Sequence, residues 1–163
     1  MIYQLSIVVR MSGGLSYLVA RVLGMGYEFQ IVVDSADPHT LADWWAEALQ
    51  WEVEPQDEDF IRSMVAQGHA TDEETTTHHG KLKWKIGTAI RHADRPRVLF
   101  QLVPEAKTVK NRMHLDIRVD SAQRAAEVER LTGMGAKVLH EGRQGPFEWV
   151  TMADPEGNEF CVA

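Results

Sequence analysis

Residues 110–120, KNRMHLDIRVD, decide the fold. Met113, Leu115, Ile117 and Val119 alternate with His114, Asp116 and Arg118, which is the period of a strand with one apolar face. His114 is therefore expected on the face opposite the apolar one. A single histidine on a half-exposed strand is ordinarily a solvated residue. It gains weight here because a weaker copy of the stretch, QIVVDSAD, occupies residues 30–37.

Downstream of the central stretch, Asp120 or Ser121 can cap a helix with Ala122, Ala125, Ala126, Val128 and Leu131 inward, closed by Gly133 and Gly135. Three strands follow, at 136–140, 148–152 and 159–162, joined by the turns GRQG and DPEGN. Upstream, YEFQIVVD at 27–34 reads as a strand with Tyr27, Phe29, Ile31 and Val33 inward. Asp37 and Pro38 open a helix whose Leu41, Trp44, Trp45, Ala48 and Leu49 form one apolar stripe, read as core and not as an aromatic ligand box. A short strand at 51–54 ends at Pro55, and a short helix within QDEDFIRSMVAQG turns Phe60, Ile61, Met64 and Val65 inward. Strands return at 84–92 and 97–103, with Asp94, Arg95 and Pro96 turning between them.

Two polar segments interrupt this pattern. Residues 68–83, GHATDEETTTHHGKLK, read as a mobile loop on the open side of the domain. Its His78 and His79 are adjacent, and neighbouring side chains of an extended chain diverge, so solvent exposure is expected and not a metal pair. The connector 104–112 carries Lys107, Lys110 and Arg112, which serve either as solvated charges or as a welcome for an anionic substrate.

The order strand, helix, three strands thus occurs twice, with the longer insertion in the first half. Gln30 registers with His114, and at the far ends RVLFQLV and GNEFCVA place Gln101 against Glu159. Each of these four residues lies opposite its strand's apolar face, so all four can converge.

Composition limits the partners. With 163 residues and 44% apolar content the chain can bury a real core, and a net charge of −7 argues against nucleic acid or an anionic membrane surface. Small molecules or proteins remain. Cys161 is the single cysteine, which excludes an intrachain disulfide framework and a thiolate cluster and points to the cytoplasm. Residues 1–26 are expected to be a loosely ordered extension, since Arg10, Gly13, Gly14 and Arg21 break their apolar run well short of the ~20 residues a membrane span needs.

The helix entry DSADP, the junction FQLVPEAKTVKNRMHLDIRV and the ending WVTMADPEGNEFCV together resemble the vicinal oxygen chelate superfamily, in particular its glyoxalase-like domains, over residues 27–163. The resemblance implies an α+β fold of two βαβββ modules, 27–104 and 112–163, whose curled mixed sheets form a glyoxalase- and bleomycin-resistance-like cup. In metal-dependent members the first and last strand of each module supply one ligand each to a divalent ion (Zn, Ni, Co, Mn or Fe). Carried over, those ligands are Gln30, Gln101, His114 and Glu159, with Glu159 also the catalytic candidate as proton shuttle. Gln101 stands where a second glutamate is usual, which should weaken the metal. Two functions follow: a metal-dependent lyase or isomerase of a small oxygenated molecule, or a metal-free protein that binds or sequesters an aromatic or cationic compound. A homodimer is the assembly the resemblance suggests.

Overall fold

The computed structural model describes residues 29–163, so the expected N-terminal extension, residues 1–26, lies outside the described residues. The repeat appears as two four-stranded mixed sheets of the same topology. The first is built from β1 (Ile31–Ser35), β2 (Glu52–Val53), β5 (Gly87–Arg91) and β6 (Val98–Leu102), in the order β1-β6-β5-β2. The second is built from β7 (Asp116–Ile117), β8 (Lys137–Gln144), β9 (Phe147–Ala153) and β10 (Glu159–Val162), in the order β7-β10-β9-β8. In each, the first and last strands lie side by side and parallel. That pairing puts the starts of β1 and β7 beside the last strand of their own sheet. The two sheets are separate and are not strongly curled.

Helix α1 (Pro38–Leu49) joins the halves. It starts where expected: the Asp37 carboxylate accepts from the Thr40 N–H at 3.2 Å, and Pro38 occupies the first turn. It ends where Gln50 turns left-handed at φ 56°. Its apolar stripe packs on its own sheet and also on the second, where Trp44 and Trp45 meet Phe160 of β10 edge-on at 5.9 and 5.2 Å. Both indole N–H groups donate to the second half, Trp44 to the Met134 carbonyl at 2.9 Å and Trp45 to Asp154 at 3.0 Å. One core therefore runs from Leu41 and Phe100 to Leu131, Met152 and Phe160. Full burial of a side chain such as Phe160 contributes roughly 1.5–3 kcal/mol.

The turn DPEGN closes this seam. Asp154 collects the N–H groups of Glu156 and Asn158, and Glu156 in turn accepts from the Ser35 hydroxyl and from the Ala36 and Asp37 N–H groups. A turn at the end of the second half thus satisfies the unpaired donors at the entry to α1.

Several expectations change. Residues 68–83 are not an unstructured loop: a 3₁₀ turn at Asp72–Glu74 leads into a hairpin of β3 (Thr75–His78) and β4 (Lys81–Trp84). Helix α2 (Glu58–Ala66) buries Ile61 alone, and Phe60 is exposed. Helix α3 (Arg124–Gly133) buries Leu131 and leaves Ala125 and Ala126 exposed, since Asp120 caps a turn that precedes the helix and rotates those residues outward. Gly142 of GRQG lies inside β8; its missing side chain makes room for the Trp149 ring, which a Cβ there would meet at 2.2 Å. Phe29 and Met113 are exposed, for strand pairing begins after them.

Candidate functional site

Ile31, Val33 and Ser35 of β1 and Phe160 and Val162 of β10 turn toward the helices, so the alternate residues form an open face on each sheet. Gln30, Gln101, His114 and Glu159 all take open-face parity. Gln30 immediately precedes β1, Gln101 sits in β6 opposite Asp34 and Gly87, His114 lies two residues before β7, and Glu159 begins β10.

On each sheet one of these residues meets a cation. On the first, the Arg97 guanidinium donates to both oxygens of Glu54 at 2.8–3.0 Å and, through Nη1, to Gln30 Oε1 at 2.7 Å. These hydrogen bonds and the neighbouring charge hold the Glu54 carboxyl below its ordinary value. On the second, Glu159 Oε2 accepts from the Asn111 N–H at 3.0 Å and lies 3.1 Å from Lys107 Nζ. The Asn111 N–H first, and then Lys107, pull its pKa down to about 2 against the opposing effect of burial. Lys107 Nζ also donates to the Val109 carbonyl, which folds the connector over the sheet. At least this one of the connector's three cations is therefore neither free in solvent nor free for a substrate.

His114 finds a different set of neighbours. Its Nε2 lies 3.3 Å from Asp116 Oδ1, and with Cys161 Sγ these donors fall within 4.8 Å of one another. Burial pushes the Cys161 thiol up, and the Thr151 hydroxyl lies 3.6 Å from its sulfur. Among the described residues no hydrogen bond or ion pair joins any two of the four expected ligands; Gln30 is held by Arg97, Glu159 by Lys107 and Asn111, and His114 by Asp116.

This donor set does not fit a dication. Its one carboxylate is already neutralised by an ammonium, one of its two carboxamide oxygens is spent on a guanidinium, and the remaining imidazole pairs with an acid outside the set. Glu159 with a pKa of about 2 is likewise mismatched to base catalysis near neutrality, which asks for a pKa close to the working pH. Lys107, Arg97 and Glu54 were not legible as partners of these residues. The signal available was charge alone, in a connector whose path the sequence does not define.

The Lys107–Glu159 contact makes a pH prediction. A folded pKa of about 2, below the ordinary 4.5, means a contribution that is complete above about 4.5 and lost as pH falls toward 2. Glu159→Gln should therefore be less stable than wild type near neutrality, with the gap closing between about pH 4.5 and 2. Urea denaturation across that range reads it; a gap unchanged with pH would show that the carboxylate is not held as described.

Comparison with known proteins places the chain. The sequence model of the glyoxalase-like domain matches residues 30–163. No curated protein matches the sequence significantly. Among solved structures, the fosfomycin resistance protein FosX of Mesorhizobium loti superposes with a TM-score of 0.56 at 10% identity, over 86% of this chain and 91% of that one. FosX of Listeria monocytogenes, in complex with Mn(II) and dihydroxypropylphosphonic acid, gives 0.57 at 10% identity, over 86% and 90%. A glyoxalase/bleomycin resistance protein/dioxygenase family enzyme of Burkholderia phytofirmans gives 0.53 at 12%, over 82% and 94%. At such identities the likeness concerns the fold.

Proposed function

We propose that this chain, which belongs to the glyoxalase-like domain family, binds a small organic molecule against the open faces of its sheets without a metal held by Gln30, Gln101, His114 and Glu159. The observation that carries this reading is the Lys107 ammonium on Glu159, which gives the only carboxylate of that set an internal counter-ion. Gln101 points the same way, because a carboxamide in place of a carboxylate removes the second negative charge a dication would need.

The surface suits an aromatic or cationic guest. Trp149 lies half-buried over Gly142, an aromatic platform that can stack a ring or take a cation on its π face. Asp34 and Asp116 stand on the open faces, and the chain's net charge of −7 favours approach of a cation. No helix among the described residues is long and apolar enough to cross a membrane. The single cysteine is what supports reading the protein as cytoplasmic, and the family resemblance supports reading it as a homodimer, which light scattering on the full chain tests.

The second reading, a metal-dependent lyase or isomerase, rests on His114, whose ion-pair partner among the described residues is an acid and not a cation. In that case Glu159 is a ligand and not the base, given its low pKa.

Thermal-shift screening of aromatic amines, quaternary ammonium compounds, vicinal diols and phosphonates, each with chelator and with added Mn(II), separates the two. A hit whose affinity is the same in chelator and is weakened by Trp149→Leu supports binding without metal. Ligand binding or turnover that requires the metal and is lost in both His114→Ala and Glu159→Gln overturns it.

A further inference from the structure

The hairpin of β3 and β4 sits against α1 and brings together three groups that the pattern of the chain keeps apart. His78 Nε2 and His79 Nε2 lie 2.6 and 2.7 Å from the same atom, Asp43 Oδ2. The expectation that adjacent histidines diverge fails here for a local reason. His79 is not extended: it adopts φ 49° and Gly80 φ 73°, the two left-handed residues of a tight two-residue hairpin turn. The turn swings His79 back beside its neighbour, with ring centroids 4.1 Å apart.

We propose that Asp43, His78 and His79 form a divalent transition-metal site at the seam between α1 and the hairpin, with Zn(II), Co(II) or Ni(II) as its class of ion. Two imidazoles and one carboxylate are a donor set these ions favour, and three protein ligands leave positions for water or a bound molecule. The three donor atoms lie within 4.8 Å of one another. An ion about 2.0–2.1 Å from each donor would hold the donors roughly 3.3 Å apart in tetrahedral geometry, so each ring retreats by about half an ångström. His79 is free to do so, since its side chain is 75% exposed.

The chemistry of the three side chains agrees. Both rings direct Nε2 at one carboxylate oxygen, so the three donor atoms already face one another. Asp43 has no other partner among the described residues, so its charge is available. The adjoining cleft, about 650 Å³, is lined by five carboxylates against three cations, which leaves a negative field at its mouth. Behind the site, His39 lies four residues before Asp43 on α1 and is buried. Its Nε2–H donates to the Trp84 carbonyl at 2.9 Å, and its ring stands 5.2 Å from that of His78.

This inference does not depend on the proposed function, because among the described residues Asp43, His78 and His79 share no hydrogen bond or ion pair with the four open-face residues. The test is calorimetric titration of the chelator-treated full chain with Zn(II), and with Co(II) read by its visible absorption. Wild type should take up one equivalent with a tetrahedral or five-coordinate Co(II) spectrum. His79→Asn should weaken binding by roughly 10–100-fold, and His78→Ala combined with His79→Asn should abolish it. Asparagine suits the left-handed turn position, so the hairpin survives the first substitution and circular dichroism should be unchanged. His114→Ala and Glu159→Gln should leave the titration as it was. A wild type that takes up no ion, or uptake that survives the double substitution or depends on His114, overturns the proposal.

Discussion

Replacing Asp154 with alanine is expected to remove roughly 3–5 kcal/mol of stability, a large share of the roughly 5–15 kcal/mol that holds an ordinary domain together. Asp154 is 1% exposed, and both of its oxygens are used. Oδ1 accepts from the Glu156 and Asn158 N–H groups at 3.0 and 2.9 Å, while Oδ2 accepts from Trp45 Nε1 and Asn158 Nδ2 at 3.0 Å each. Burial pushes its carboxyl up and these donors pull it back, so the carboxylate and its donors depend on each other. Alanine strands a buried indole N–H and two turn N–H groups, each costing about 1–3 kcal/mol when left unpaired. The turn then no longer presents Glu156 to Ser35, Ala36 and Asp37. Asp154→Asn keeps one acceptor but turns an amide toward the indole N–H or the turn, and should cost less. Urea denaturation of both variants measures this; a loss below about 1 kcal/mol for alanine would show that the seam between the halves is held elsewhere.

That network explains which features were legible in the chain. Alternation located the sheets, because Ile31, Val33, Leu115 and Ile117 pack against the helices as their period requires. The DPEGN turn was readable as a turn but not as a clamp on α1, since Trp45, which donates to Asp154, and Ser35, which donates to Glu156, lie more than 100 residues away. Parity failed at Phe29 and Met113, where no strand neighbour exists to cover them. The hairpin at 75–84 was hidden because its strands are threonine- and lysine-rich, with pairing specified by a turn in which histidine stands where asparagine is the usual signal. For the site, side-chain parity placed Gln30, Gln101, His114 and Glu159 on the open faces. What those side chains bind depends on where the 104–112 connector runs, and no periodicity encodes that path.

The second large effect follows from the charge on that connector. Lys107→Met keeps the aliphatic stem but removes the ammonium from Glu159, leaving the carboxylate with the Asn111 N–H and its full charge for an ion. Gln101→Glu supplies the second carboxylate. Either change alone should do little: with Lys107 present, the added carboxylate only gives the ammonium another anion to neutralise, and with Gln101 still in place the freed Glu159 is a single charge facing a dication. Combined, the two should raise affinity for Mn(II) or Zn(II) by about 10–100-fold over either single variant, and His114→Ala should cancel the gain. The titrations belong in a His78→Ala, His79→Asn background, which removes the ligands proposed beside α1. Non-additivity is the informative outcome, because it arises only if Lys107, Gln101, His114 and Glu159 share one space. Gains that simply add, or a double variant that binds no better than its parent, would mean that Gln101, His114 and Glu159 do not converge and that the charge on Lys107 is not what keeps a metal away.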